Sequence, residues 1–251
     1  MAKERARDKD SEATARPARR ASDRGHYGRL SRERVLAAAL DLVDQEGLSA
    51  LSMRRLGARL GVEAMALYRY AEGKDALLDG LVEALHLELE ERLAAGHGPD
   101  PGSAESESAA WRAELHRIAR AMYEVGIAHP QVVPLLSTRM LAVPLARRPL
   151  TVLKGHERVL ALLEDAGLDR ARSAAVFRAF TGWVLGYVSV ELRAMVDNPE
   201  EADPAFRLGL HRMPAQELPR LREFAATLAD RGGPDGLAAG LDALLDRFTQ
   251  P

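Results

Sequence analysis

Residues Arg55 to Leu81 read RLGARLGVEAMALYRYAEGKDALLDGL. The spacing predicts a helix that stops at Gly61, a very short helix that stops before Gly73, and then a long helix. A helix of about two turns is marginal in water, so something outside it must justify its presence. Leu56, Leu60, Val62 and Leu67 are placed to form a small core, and Gly61 supplies a turn where a Cβ is disfavoured. Ala64, Met65, Ala66, Tyr68, Arg69 and Tyr70 are then left to face outward. Two helices joined by a tight turn, the second short and rich in donors, describe a helix-turn-helix whose second helix enters the DNA major groove. The competing reading is that Tyr68 and Tyr70 simply pack between helices.

Outward from this stretch the pattern stays helical. Upstream, Ser31 is a candidate N-cap, although Arg34 stands where a capping-box Glu would sit. Leu36, Ala39, Leu40 and Val43 form an apolar stripe that Gly47 closes, and Ser52 caps a second helix. Downstream, Leu77, Leu78, Leu81, Leu85 and Leu89 define a long amphipathic helix, followed by the loop GHGPDPGSAESESAA. Further helices are expected near 111–128, 131–145, 149–166 and 170–196. After a second loop, DNPEEADPAFRLGLHRMPAQ, two more are expected near 218–231 and 237–248. No strand alternation and no internal repeat interrupts the series, so the expected fold class is all-α.

Composition narrows the function. Of 251 residues 47% are hydrophobic, enough for a real core, and no run approaches the roughly 18 uninterrupted apolar residues of a membrane span. The first 25 residues have no apolar core and do not read as a signal peptide. Zero cysteines excludes disulfides, thiolate zinc sites and cysteine nucleophiles, and fits a reducing cytoplasm. Net charge is −2, but residues 1–30 carry nine Lys and Arg against five Asp and Glu, a net of +4 that leaves −6 elsewhere. A basic tail on an acidic body is one nucleic-acid arrangement, and equally a solubilising tail. Residues 1–29 are polar, mixed in charge and expected to be disordered. The seven histidines are scattered. His86 and Glu90 share a helix face as a possible metal pair, yet without a third ligand they read more readily as a surface pair. No Gly-rich phosphate loop, nucleophile elbow or HExxH is present, so no enzyme chemistry, cofactor or metal is expected.

From Leu30 to about Leu89, RVLAAALDLVDQEGLSALSMRRLGARLGVEAMALYRYAEGKDALLDGL resembles the DNA-binding domain of the tetracycline-repressor (TetR) family. The match is to that family's pattern of helix, Gly, x-S/T-x-R-x-L-A-x-x-L-G-V and x-L-Y-x-[H/Y]-[F]-x-x-K-x-x-L. Gly57 stands where Ala is usual, at about 1 kcal/mol of helix stability, and Ala71 replaces an aromatic. The resemblance implies that Ser52 and Arg54 start the second helix and reach backbone or base. It implies base contacts for Ala64, Met65, Ala66 and Arg69, and phosphate contacts for Tyr68, Tyr70 and Lys74. Small and apolar readers suit thymine methyls, while Arg54 and Arg69 are the guanine candidates; the alanines could equally serve close helix approach. The N-terminal arm either enters the adjacent minor groove or adds only salt-screened attraction.

The domains then expected are an arm at 1–29, a three-helix DNA-binding domain at 30–73, and an effector-binding and dimerisation domain at 74–251. The resemblance is weaker there and architectural. Ala174, Phe177, Thr181, Val184 and Val188 recur at helical spacing, and Gly182, Gly186 and Ser189 would admit a second helix. With LAAGLDALLDRF, that run is either the four-helix seam of a homodimer or an ordinary core helix. Candidate chamber residues are Met122, Tyr123, Met140, Phe180, Trp183 and Tyr187. Where the family's tetracycline sensors use histidines to chelate a magnesium–drug complex, loose alignment puts Glu90 and Leu135 or Leu136. Leucine cannot ligate, so a different, largely apolar effector is expected. The expected function is a cytoplasmic, ligand-responsive regulator that leaves a near-palindromic operator when a small molecule binds, without a membrane partner. The alternatives are an all-α enzyme or carrier of a lipophilic molecule, whose Tyr68 and Tyr70 would line a pocket, and a helical scaffold that binds only proteins.

Overall fold

The structure is a computed structural model that describes residues 30–96, 107–192 and 200–249. Among them every regular element is helical; the expected N-terminal arm lies outside the described residues. Helix α1 (Arg32–Glu46) starts where the Ser31 side chain accepts the Arg34 N–H at 3.2 Å, and it closes on Gly47 at φ 81°. Its Val35, Leu36, Ala39, Leu40, Leu42 and Val43 are buried. Helix α2 (Met53–Leu60) is capped in the same way, Ser52 accepting the Arg55 N–H at 3.2 Å. Each cap satisfies one of the backbone donors that a helix start leaves free.

Gly61 takes φ 68° and ψ 28°, the left-handed region that glycine enters without penalty, and so turns the chain into α3 (Ala64–Leu67). Leu56, Leu60 and Leu67 are buried as expected, whereas Val62 is only half-buried. Gly57 has a reason to be glycine. A Cβ there would stand 2.8 Å from the Val62 carbonyl oxygen and 3.2 Å from the Ala64 nitrogen, so α2 and α3 approach closely at this point. Ala71, in place of an aromatic, is itself buried.

Helix α4 (Lys74–Ala95) begins at the expected domain boundary and packs against α1 on one side and the later helices on the other. Helix α5 (Glu107–Ala128) takes in the last residues of the stretch read as a loop. Then come α6 (Val133–Ala142), a 3₁₀ turn at Leu145–Arg147, α7 (Leu150–Asp165) and α8 (Arg170–Leu192). The second loop contains α9 (Pro204–Arg207), with Asp203 accepting the Ala205 N–H at 2.8 Å, and a 3₁₀ turn at Leu210–Arg212. The single helix expected over 218–231 is two pieces, α10 (Pro219–Glu223) and α11 (Ala225–Ala229). Leu221, Phe224 and Leu228 remain exposed, so no buried stripe holds that segment as one cylinder. Helix α12 (Gly233–Thr249) packs on α5 and α8.

The apolar stripe of α8 is rotated from the expected one. Ser173, Val176, Phe180, Val184 and Val188 are buried, while Ala174, Phe177 and Thr181 are half-buried. By length and composition α8 alone among the described helices could cross a membrane. Here it packs against α5, α6, α7 and α12, and only 28% of its most apolar stretch is covered by this chain.

Candidate nucleic-acid interface and effector cavity

Of the six side chains expected to face outward after α2, three are exposed and three are not. Met65 is 72% exposed and Tyr68 46%, and Arg69 is exposed beside them. Ala64, Ala66 and Tyr70 are half-buried; the Tyr70 carbonyl accepts from the Arg32 guanidinium at 2.5 Å, which ties the end of the turn to α1. The neighbouring arginines divide into two groups. Arg55 is paired with Glu46, and Arg59 donates to Gln45 at 3.0 Å. Arg54 and Arg69 are exposed and engage no other described residue, and Lys74 stands exposed at the first turn of α4. Three cations and an exposed phenol around a four-residue helix have nothing to do in folding. They are the donor types that phosphates and base edges take.

A cavity of about 630 Å³, its mouth included, lies between α4, α5, α6, α7 and α8. Leu89, Leu93, Ile118, Met122, Leu136, Val159, Phe177, Phe180 and Leu185 make it apolar, and His86, His156, Thr181, Glu90 and Arg158 add polar groups. A second recess of about 420 Å³ shares His86, Leu89, Met122, Leu136 and Leu185 with it and runs on toward Val133 and Val188. Arg158 is ion-paired with Glu90. Burial, and then the nearby charges of Arg148 and His86, push His156 down to about 4, so its ring is neutral near pH 7. Burial likewise pushes His86 below the ordinary histidine value. His86 and Glu90 are therefore not the surface pair that sequence favoured: both face the cavity. Among the described residues no group of three His, Cys, Asp or Glu could hold a metal ion.

Two family descriptions match this chain: "Bacterial regulatory proteins, tetR family" over residues 35–81, and "Tetracyclin repressor-like, C-terminal domain" over 104–246. The chain belongs to the TetR family. The HTH-type transcriptional repressor DrrR1 of Streptomyces coeruleorubidus is 33% identical over 69% of this chain, and an HTH-type transcriptional regulator of Saccharopolyspora erythraea is 36% identical over 64%. The chain spans 58% and 61% of those two proteins. The class C tetracycline repressor protein of Escherichia coli is 28% identical over 82% of this chain and 84% of its own length. Among solved structures, a TetR transcriptional regulator from Streptomyces coelicolor superposes with a TM-score of 0.63 at 25% identity, covering 88% of this chain and 100% of that one. The same organism's ActR, solved in complex with actinorhodin, shares the fold with a TM-score of 0.66 at 24% identity over 87% of this chain and 95% of that one.

In this TetR-family chain the structure brings together only part of the expected chamber. Met122 and Phe180 line the cavity, as do Glu90 and Leu136, the positions aligned with the family's metal-chelating histidines. Leu135 is buried and is not among the cavity's lining residues. The side chain of Met140 lies outside the described residues. Tyr123, Trp183 and Tyr187 do not line the cavity, because they hold α12. Trp183 Nε1 donates to the Leu237 carbonyl at 3.1 Å and the Tyr187 hydroxyl to the Gly233 carbonyl at 2.8 Å. The Tyr123 hydroxyl donates to Glu191 at 3.3 Å, and Glu191 also accepts the Gly232 and Gly233 N–H groups. Gly232, Gly236 and Gly240 leave the room those rings fill; a Cβ on Gly240 would lie 2.0 Å from Trp183.

Sequence reasoning missed His156 and Arg158 on α7 and Phe177 on α8, which only the fold brings against α4 and α5. It also missed a clasp. His129, just after α5, meets Asp44 of α1 at 2.7 Å through Nδ1 and Glu88 of α4 at 2.6 Å through Nε2. On α6, Arg139 donates to Asp79 at 2.8 Å and to the Asp75 carbonyl at 3.2 Å, both on α4. Helices that border the cavity are thus tied directly to those that carry the helix-turn-helix.

Proposed function

We propose that this protein is a cytoplasmic, homodimeric transcriptional repressor that leaves a near-palindromic operator when a small, largely apolar molecule occupies the cavity. The observation that carries the reading is the pairing, in one chain, of an unpartnered donor surface at Arg54, Tyr68, Arg69 and Lys74 with an apolar cavity walled by α4. Ser52 caps α2 beside that surface; Arg54 and Arg69 read bases, Met65 with Ala64 and Ala66 meets thymine methyls, and Tyr68, Tyr70 and Lys74 contact phosphates.

The dimer forms through α8 and α12. Gly182 and Gly186 are exposed on α8, with nothing within 4 Å of an added Cβ, and Ala239 and Ala243 are exposed on α12. Such small residues admit a partner's helices closely, in a four-helix seam. The two recognition helices then stand about 34–36 Å apart, one turn of DNA. Helix α4 is the lever: it runs from Lys74 at the DNA surface past His86, Leu89 and Glu90 in the cavity. A ligand shifts the equilibrium only by the difference of its affinities for the two dimer states, typically about 1–3 kcal/mol. That DrrR1 is named a transcriptional repressor and ActR was solved with actinorhodin supports both halves of this reading.

The test is a fluorescence titration of the purified protein against the intergenic DNA flanking its own gene, with random duplex as competitor, at two salt concentrations. Tight binding that survives competitor is the expected result. Binding that random DNA abolishes overturns the proposal and favours a carrier of lipophilic molecules.

A further inference from the structure

The hydrogen bonds around the cavity determine which chemical groups a guest must bring. His86 Nδ1 lies 2.8 Å from the Val82 carbonyl oxygen. A carbonyl only accepts, so Nδ1 carries the proton and donates, and Nε2 is left as a lone-pair acceptor. No described residue donates to that nitrogen. Across the cavity His156 meets Phe177 edge-on, with centroids 5.2 Å apart and planes at 76°, and its ring nitrogens engage no described residue. Thr181 adds a hydroxyl to the same wall. The two opposite charges at the cavity, Glu90 and Arg158, are spent on each other. A guest therefore meets apolar surface, aromatic rings, the unsatisfied acceptor of His86, and at His156 one N–H and one lone pair, but no unpaired charge.

This arrangement discriminates among ligand classes. A carboxylate would set its anion against an acceptor lone pair, and the cation among the described lining residues, Arg158, would have to be taken from Glu90. A plain hydrocarbon would expel water from His86 Nε2 and return nothing, and a buried acceptor left unpaired is costly. A neutral molecule with an O–H satisfies the nitrogen and leaves the ion pair whole. The geometry points to a neutral, hydroxylated aromatic effector, its rings against Phe177 and Phe180 and its hydroxyl donated to His86 Nε2. This deepens the proposed function and rests on the cavity being the effector site.

Three two-ring probes separate the classes: 2-naphthol, which has the hydroxyl; 2-methoxynaphthalene, which keeps the shape without the donor; and naphthalene-2-carboxylate. Equilibrium dialysis of the full-length protein should give 2-naphthol the tightest binding, about tenfold ahead of the methyl ether, with the carboxylate weakest. His86→Leu should erase the advantage of naphthol over its ether and leave ether binding in place, whereas Thr181→Val should keep that advantage. The wild-type series needs no variant to fold. Tightest binding by the carboxylate, equal binding of naphthol and ether, no binding of any probe, or a naphthol advantage that survives His86→Leu would each overturn the inference. Operator titration on the same preparation keeps the two questions apart: specific DNA binding with the wrong probe order sinks only the ligand class, while loss of specific DNA binding sinks the regulatory reading itself.

Discussion

Replacing Gly57 with alanine sets two effects of opposite sign against each other. Gly57 sits inside α2, where alanine is favoured over glycine by about 1 kcal/mol. On propensity alone Gly57→Ala should stabilise the protein. The added methyl, however, would lie 2.8 Å from the Val62 carbonyl oxygen, 3.2 Å from the Ala64 nitrogen and 3.3 Å from its Cα. All three are backbone atoms, so no side-chain rotation relieves the contact. Val62 is also held by its own N–H, donated to the Gly57 carbonyl at 2.9 Å, which ties the two segments together. Overpacking of this kind costs about 1–3 kcal/mol, so the net expectation is a loss of roughly 1 kcal/mol. In a chain of this size that lowers the thermal midpoint by about 2–4 °C. The relief must come from moving the start of α3, so specific operator affinity should fall more than affinity for random duplex. Urea unfolding together with competitive operator titration measures both. A variant that gains stability by the propensity increment, with operator affinity intact, would refute the close α2–α3 approach and the reason given for glycine.

Arg69→Ala should weaken operator binding by roughly 1–3 kcal/mol and lower the ratio of specific to random affinity; an unchanged ratio would take Arg69 out of base reading. His129→Ala removes both arms of the clasp and leaves Asp44 facing Glu88, at a cost of about 1–3 kcal/mol of stability. If the clasp couples the cavity to the helix-turn-helix, that variant should still bind an effector but release DNA less, and an unaltered release curve would dismiss the coupling. Acid should destabilise the protein through His156. Its folded value of about 4 lies below the ordinary histidine value of about 6.5, so its contribution is complete above about pH 6.5 and is lost as pH falls toward 4. For a ring this incompletely buried the loss is roughly 1–2 kcal/mol after solvent screening. His156→Phe should flatten that limb of the stability–pH curve.

What could be read from sequence follows the range of the interactions involved. Ser31, Ser52 and Gly61 act within three residues of themselves, through caps and a left-handed turn, and their roles were legible before any coordinates. The exposure of Met65, Tyr68 and Arg69 was legible for the same reason: once Leu56, Leu60 and Leu67 point inward, helical geometry sends the others out. The cavity was a different problem. Its walls come from five helices, and periodicity gives the face of a helix only within an error of one residue, about 100° of rotation. The first half of the α8 stripe differs from expectation by that single step, while Val184 and Val188 are buried as expected. Phe177 and Thr181, in a run whose spacing fits a seam or a core helix alike, lie on the cavity wall, while the expected chamber residues Trp183 and Tyr187 hold α12.

The aromatics of α8 also show why residue type misled. Large rings are expected in ligand chambers and in cores alike, so Trp183 and Tyr187 carried no information until their partners were known. The deciding signal lay fifty residues away, in the glycines of α12. Gly232, Gly236 and Gly240 recur every four residues, on one face of the chain entering and forming that helix, and each would place a Cβ within 2.4 Å of Tyr187 or Trp183. A glycine costs helix stability wherever it sits inside one, so Gly236 and Gly240 announce that something bulky must come close. Against that periodicity the aromatics of α8 divide: Trp183 and Tyr187 fit the glycine row of α12, while Phe177 and Thr181, turned away from that row, join Phe180 at the cavity. The same logic runs the other way for Gly182 and Gly186. They too recur at four residues, but no described residue comes within 4 Å of where their Cβ atoms would be. Two exposed helical glycines with no described neighbour to accommodate are what the proposed α8–α12 seam would use.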